Sequence, residues 1–415
     1  MRRAGFIDRE ALLVRVLQLH NHHLGKGGAM EVLAYEAELL GAGGHTVEQY
    51  TLPAAEEMGL SAVRAGLKAV WNIEASREVS RRIEAFEPDV VHVHTPFPLM
   101  SPAVFRAAAR AGVPAVTTVH SFRWSCISAN CFRDNAICED CVGTRLKLAG
   151  VRHRCYHDSV GASAALTAGL VLHRQIGTMN KIARFITLTE FAKQLLVRDG
   201  LPAAQIVVKP NSVPDPGSAG QPVEDAPYVA FVGRFLDVKG IETLLDGWKV
   251  MQQAGPPGLR LKLAGDGDLR ALVEERAAAD PSIEYLGWCS EAEVGALMGG
   301  ARCVVVPSEW YEAGVPMVTL RSLSVGTPVV TSDLENICAD VLADDTGVTF
   351  QVGSAASLAQ ALATVLSDET TWHERRQRAR GSYLRRYSPS SNLSRLVAIY
   401  DVVLDERQRA LAGGT

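Results

Sequence analysis

Apolar runs of strand length recur along this chain with segments of helical period between them, and the rhythm stops once and starts again. Runs at 14–19, 89–93, 115–119 and 185–188 form the first series, and runs at 228–232, 260–264, 283–286, 303–306 and 328–331 the second. Strands alternating with helices in this way are the pattern of α/β folds built on parallel sheets. The break falls at 211–227, where Pro214, Pro216, Gly217, Ser218, Gly220, Pro222 and Pro227 crowd a stretch of little apolar content. Such a stretch reads as a linker. Two α/β domains are therefore expected, over 1–215 and 225–390, with a helical tail at 391–415. A chain of 415 residues can bury two cores of ordinary size.

Two helices are legible in detail. The segment 28–40 stops at Gly41-Ala42-Gly43-Gly44, where glycine can close a helix, and Ile241, Leu244, Leu245, Trp248 and Met251 share one helical face. With 42 Lys plus Arg against 46 Asp plus Glu, the net charge of −4 gives no reason to expect nucleic acid, which would favour a basic stripe or patch, so a small-molecule partner is expected. The stretch 1–15 has scattered Arg and Asp and no apolar core of a secretory signal, so the expected location is cytoplasmic. The longest apolar run, 160–172, is shorter than the roughly 18–20 residues that span a bilayer and reads as a buried helix. Membrane contact is expected to be peripheral at most, through Arg145, Lys147, Arg152 and Arg154. Nothing in the sequence separates a monomer from an oligomer.

The second series opens with Phe231-Val232-Gly233-Arg234 and continues to Lys239-Gly240. A strand ending in a glycine turn puts these two cations at the carboxyl edge of a parallel sheet, a position suited to a diphosphate. Further on stands Pro307-Ser308-Glu309-Trp310-Tyr311-Glu312-Ala313-Gly314-Val315-Pro316, followed by Gly326-Thr327-Pro328-Val329-Val330. A helix starting near Pro316 would offer free N–H groups to phosphate. In the first half, Leu24-Gly25-Lys26-Gly27-Gly28 is a glycine-rich loop between a strand and a helix, and His120 ends a strand facing the expected cleft. His20, His22 and His23 have no carboxylate or cysteine beside them at ligand spacing and read as loop and pocket-wall residues.

Five of the eight cysteines, Cys126, Cys131, Cys138, Cys141 and Cys155, lie in one stretch, an insertion at about 123–157. In a cytoplasmic protein this favours zinc over disulfides, the alternative being unligated thiols in a packed loop.

Together these stretches resemble the retaining glycosyltransferases of the GT4 family, which have the GT-B fold: two Rossmann-like domains with parallel sheets facing a central cleft. The resemblance spans nearly the whole chain and is most specific at 231–240 and 305–330. It implies a nucleotide-sugar donor held by the second domain, an unidentified acceptor on the first, and a tail that packs back on the first domain. Arg234 and Lys239 would hold the donor pyrophosphate and stabilise the departing nucleotide, and Glu312 would contact the transferred sugar. Gly27, Gly28, Gly233, Gly314 and Val315 would line the donor, and His120 would touch its sugar. No catalytic metal is implied, and in the family mechanism the leaving phosphate itself takes the acceptor proton on the same face. A subgroup of the family resembles the cysteine stretch and implies structural zinc on Cys126, Cys138, Cys141 and Cys155, with Cys131 spare.

The chain departs from the family twice. With one residue inserted before it, Arg321-Ser322 stands where the family places a second Glu, followed by Ala, on the ribose hydroxyls, and guanidinium donates hydrogen bonds without accepting any. Leu334-Glu335-Asn336 stands where relatives often have Gly-Gly, and Glu335 is one substitute acceptor. Arg321 therefore opens a second expectation, a GT-B protein with lost or redirected sugar transfer. A nucleotide-sugar epimerase is disfavoured, since the motifs hold no acid–base pair.

Overall fold

The structure is a computed structural model that describes residues 13–22, 28–221, 227–253 and 258–413. Its first sheet contains β1 (Arg15–Asn21), β2 (Thr46–Leu52), β3 (Val90–Thr95), β4 (Ala115–Val119), β7 (Ile182–Thr187) and β8 (Ile206–Val208). A two-stranded hairpin of β5 (Phe132–Arg133) and β6 (Ala136–Ile137) lies outside it. The second sheet contains β9 (Tyr228–Val232), β10 (Arg260–Ala264), β11 (Ile283–Gly287), β12 (Cys303–Val306), β13 (Val329–Ser332) and β14 (Gly347–Phe350). The strand orders are β2-β1-β3-β4-β7-β8 and β11-β10-β9-β12-β13-β14, and every pairing within them is parallel. The fold is thus α/β with two Rossmann-like sheets.

Period-two alternation divides each strand between two cores. In the first domain, Leu17, Leu19, Val91 and Val93 face the helices Ile73–Phe86, Ala103–Arg110 and Val160–Gln175. Val14, Val16, Val90, Val116 and Ile186 face the other way, onto Leu396, Tyr400, Val403 and Leu404 of the last helix, Pro389–Ala412. That helix follows the second domain in sequence, so the chain returns to cover the first sheet. On the way it grips the connecting segment: Asn392 Nδ2 donates to the Pro210 carbonyl at 2.7 Å, and Tyr383 OH to that of Val213 at 2.9 Å.

Three strands of the two sheets escape the sequence reading. β2 and β14 are edge strands interrupted by polar residues, and β8, though apolar throughout, has only three residues, so none offers an apolar run of strand length. The helix Val160–Gln175 buries only one face, with Val160 exposed at its start. Among the described residues no helix is long and apolar enough to cross a membrane. Of the four cations expected on a solvated or membrane-facing surface, Arg145, Arg152 and Arg154 are exposed, but Lys147 is fully buried. Its ammonium pairs with Asp199 at 2.8 Å and donates to the Cys141 carbonyl at 3.0 Å. It anchors the cysteine loop and faces no surface.

Candidate active site

In both sheets the strand order reverses at one point, between β1 and β3 in the first and between β9 and β12 in the second. Loops leaving the carboxyl ends of strands diverge at such a point and open a crevice. In the second domain Arg234 and Lys239 follow β9 and Glu312 follows β12, so the reversal brings together side chains far apart in sequence. Two glycines make this approach feasible. Gly240 has φ 67°, and a Cβ there would lie 2.0 Å from the Pro307 carbonyl oxygen. Gly265 has φ 145°, and its Cβ would lie 1.8 Å from the Gly233 oxygen.

The Lys239 ammonium forms an ion pair with Glu312 Oε1. The same oxygen accepts from Trp310 Nε1 at 3.0 Å and Ser308 Oγ at 3.2 Å, while Asn336 Nδ2 donates to the Glu312 backbone carbonyl at 2.8 Å. Glu312 is therefore held in one orientation. Arg234 is exposed and makes no ion pair among the described residues. With Lys239 and Glu312 it lines a cavity of about 240 Å³, and it also lines a larger cleft of about 810 Å³ between the domains. The far walls of that cleft carry Tyr35 from the helix Gly28–Ala42, Asp266 after β10, Trp288 and Glu291 after β11, and Arg321. Burial, then Glu38 and Asp215, push the Tyr35 hydroxyl up to about 12, so it stays a donor.

The other expected donor residues fall in several places. Gly233 lines both openings. Gly314 packs on Leu188 of the first domain, where a Cβ would come within 2.8 Å, and Val315 is buried in a core with Val213, Leu323 and Tyr383. Both hold the domains together and line neither opening. Gly28 begins the helix Gly28–Ala42, and Gly27 lies outside the described residues. Arg321 lines the large cleft with its Nη2 3.1 Å from Glu291 Oε1. Glu335 is exposed and not among the residues lining either opening; the carboxylate beside Arg321 is Glu291, which sequence reasoning missed.

In the first domain the reversal point holds a buried polar cluster. Glu36 meets Lys209 Nζ at 3.1 Å, His92 Nδ1 at 3.2 Å and His94 Nε2 at 3.1 Å, the last outside hydrogen-bond geometry. Burial alone would raise the Glu36 carboxyl, but Lys209, His92 and His94 outweigh it and hold it well below the usual range. Burial and then His94 lower His92 to about 4, and its ring is engaged by Tyr400 OH at 2.7 Å and Thr118 Oγ1 at 2.8 Å. Among the described residues Glu36, His92 and His94 are the set with ligand atoms within 4.8 Å of one another. The Lys209 ammonium and the occupied His92 ring make it a satisfied ion network ill suited to a further cation. Alternation could have revealed it, since Val91-His92-Val93-His94 puts two imidazoles on one face of a buried strand.

His120 stacks on His94 at 5.2 Å between ring centroids, with Nε2 3.0 Å from His94 Nδ1, and burial and then His94 lower it well below the ordinary histidine value. It belongs to this cluster's rim and lines neither the small cavity beside Glu312 nor the cleft between the domains. His20, expected in a loop, is buried on β1; His23 lies outside the described residues.

The cysteine loop packs against the second domain. Phe122, Cys126 and Cys131 share a core with Ala192 and Leu195, against which Tyr311 and Ala313 rest. Glu139 is held by Arg198 at 2.7 and 3.0 Å, and, after burial, its charge helps to raise the hydroxyl of Tyr311, which neighbours Glu312. Cys126 is hydrogen-bonded first to Cys131, and its thiol is lowered to about 5. Ser128 Oγ lies 3.1 Å from the Cys126 sulfur, and Cys131, the residue expected to be spare, makes the largest contribution to lowering its thiol. Zinc–sulfur bonds of ~2.3 Å would hold four thiolates about 3.8 Å apart, and no three cysteines are gathered within 4.8 Å among the described residues. The donor set suits zinc, while the loop as it stands is more open than a filled site.

Two facing Rossmann-like domains with a cleft between them define the GT-B class. Family profiles match the two halves in turn: "Glycosyl transferase 4-like domain" over 27–212 and "Glycosyl transferases group 1" over 226–368. Together they cover most of the chain, which belongs to the GT4-like glycosyltransferase family. Among curated relatives, glycogen synthase of Mycobacterium tuberculosis is 27% identical over 46% of this chain and 44% of its own length. Phosphatidyl-myo-inositol mannosyltransferase of Mycobacterium leprae is 28% identical over 42% of this chain and 46% of its own. The chain thus spans less than half the length of these relatives. Among solved structures, a glycosyltransferase from Rickettsia africae superposes with TM-score 0.69 at 15% identity, covering 94% of this chain and 99% of the other. Anabaena Alr3699/HepE in complex with UDP gives 0.65 at 16% identity, covering 94% and 100%.

Proposed function

We propose that this protein is a retaining glycosyltransferase that moves a sugar from a nucleoside-diphosphate sugar to an acceptor nucleophile, most simply a hydroxyl. The observation that carries the reading is the exposed Arg234, without an ion pair among the described residues, beside the Lys239–Glu312 pair where the second strand order reverses. A diphosphate there would engage Arg234 and draw Lys239 from Glu312, leaving that carboxylate to accept from sugar hydroxyls. As the C1–O bond to phosphate breaks, the two cations stabilise the charge left on the nucleotide. The acceptor oxygen bonds C1 from the same face and its proton passes to the departing phosphate, which preserves the anomeric configuration. In this reading His120 contacts the transferred sugar from the first domain. The reading is also supported by the family membership and by HepE, a protein of this fold solved with UDP.

In the same reading the protein acts in the cytoplasm, and structural zinc on Cys126, Cys138, Cys141 and Cys155 stiffens the loop against Tyr311. Elemental analysis tests the zinc: one ion per chain is expected, lost in the Cys138→Ser/Cys141→Ser variant, and metal-free protein removes the idea. The Arg321–Glu291 pair favours a second reading, transfer from an unusual donor or loss of transfer. Proton NMR of the sugar released from UDP-, GDP- and ADP-hexoses separates the two. A first-formed anomer matching the donor, absent in Arg234→Ala, supports retaining transfer; an inverted anomer overturns retention; inertness toward every donor favours the second reading.

A further inference from the structure

The nucleotide reading leaves one wall of the large cleft unassigned. Trp288 is 79% exposed, although indole is a costly group to leave in water without a partner. It follows Gly287, whose φ of 70° turns the chain out of β11. Two residues on, Ser290 caps the helix Glu291–Gly300 in a reciprocal box with Glu293, so the wall has a rigid base. That box occupies the Glu293 carboxylate, with Oε2 accepting from Ser290 N and Oγ at 2.7 Å. Glu291 remains, its side chain 73% exposed and one oxygen 3.1 Å from Arg321 Nη2. Arg321 comes from a different helix, Met317–Ser324, and is 33% exposed with Nε buried.

We propose that Trp288, Glu291 and Arg321 form a nucleoside subsite: the indole stacks on the base, the Glu291 carboxylate accepts from the ribose hydroxyls, and Arg321 is the positioning residue that orients this carboxylate. This rests on the reading of the cleft as a nucleotide-sugar site and fixes the ligand's direction within it. A diphosphate is repelled by a carboxylate and attracted by Arg234 and Lys239, so the uncharged nucleoside belongs at the Glu291 end. A carboxylate can accept from both hydroxyls of a vicinal diol, which guanidinium cannot. An exposed indole suits any base, because every base offers a stacking face.

The test is calorimetric titration of UDP, GDP, ADP and CDP, each against its 2′-deoxy form, into the full-length protein and its Trp288→Ala, Glu291→Ala and Arg321→Met variants. All three side chains are at least partly exposed, and unchanged melting temperatures would confirm that the variants fold. The intact protein should prefer the ribose form of its nucleotide by about tenfold, the scale of one charge-assisted hydrogen bond. Glu291→Ala should abolish that preference, and Arg321→Met should reduce it. Trp288→Ala should weaken both forms alike by roughly tenfold or more and keep the preference. A Glu291→Ala variant that still discriminates overturns the ribose assignment. An Arg321→Met variant weakened more than Glu291→Ala, and equally for both forms, makes Arg321 a direct ligand and overturns its positioning role. Should the folded wild-type protein bind none of the eight, the nucleotide reading of the cleft falls, and this subsite with it.

Discussion

Ionisable groups gather where the strand order reverses in both domains, and the two gatherings differ in what they leave unpaired. In the first domain Glu36, Lys209 and His92 are almost fully buried and answer one another at 3.1–3.2 Å, with Tyr400 from the returning helix closing the set. In the second, Arg234 faces the cleft without an ion pair among the described residues, beside the half-buried Lys239–Glu312 pair. A buried charge must be satisfied within the protein, whereas an exposed charge in a crevice can be satisfied by a ligand. The first cluster should therefore govern stability and the second binding.

Substitutions should separate the two. Glu36→Ala strands the buried Lys209 ammonium and is expected to cost about 3–5 kcal/mol, read by denaturant unfolding. Arg234→Ala or Lys239→Ala should lower transfer kcat/KM by about 10²–10³-fold with the unfolding midpoint unchanged. A stability loss from Arg234→Ala as large as that from Glu36→Ala would erase the contrast.

Acid sharpens it further. Burial holds His92 and His173 at about 4 and His120 well below the ordinary value, so the folded chain keeps these rings neutral where the unfolded chain protonates them. Below about pH 6.5 the unfolded state binds more protons. Stability should thus be flat above that pH and fall toward pH 4, by about 1.4 kcal/mol per pH unit for each such histidine. The depressed Glu36 carboxyl acts in the same direction at lower pH: its contribution is present above the unfolded carboxylate value and lost as pH falls through its own. A stability profile unchanged between pH 6.5 and 4 would contradict the dry cluster. The smallest effect belongs to Tyr400→Phe, which removes the 2.7 Å contact to His92 and should cost about 1 kcal/mol with nucleotide binding intact.

How much of this was legible follows from where the information lies. The central strands announce themselves because both faces are buried and their residues run apolar, as in Val304-Val305-Val306 of β12; the edge strand β2, Thr-Val-Glu-Gln-Tyr-Thr-Leu, shares its pattern with solvated loops. The placement of Arg234, Lys239 and Glu312 at one sheet edge was legible because local strand–turn–helix spacing positions each of them. Trp288 and Glu291 were not, because their place depends on β11 lying two strands from β9 and on a partner from another helix. Glu36 was hidden for a similar reason: within its helix it reads as an ordinary surface acid, and its partners Lys209, His92 and His94, all remote in sequence, account for its burial.

The most direct test of the central claim is equilibrium titration of UDP, GDP, ADP, CMP and dTDP into the purified protein and into Arg234→Ala. Micromolar binding of one nucleoside diphosphate is expected, weakened at least about tenfold by the substitution. Binding that ignores Arg234, or no binding by any of the five, would contradict it.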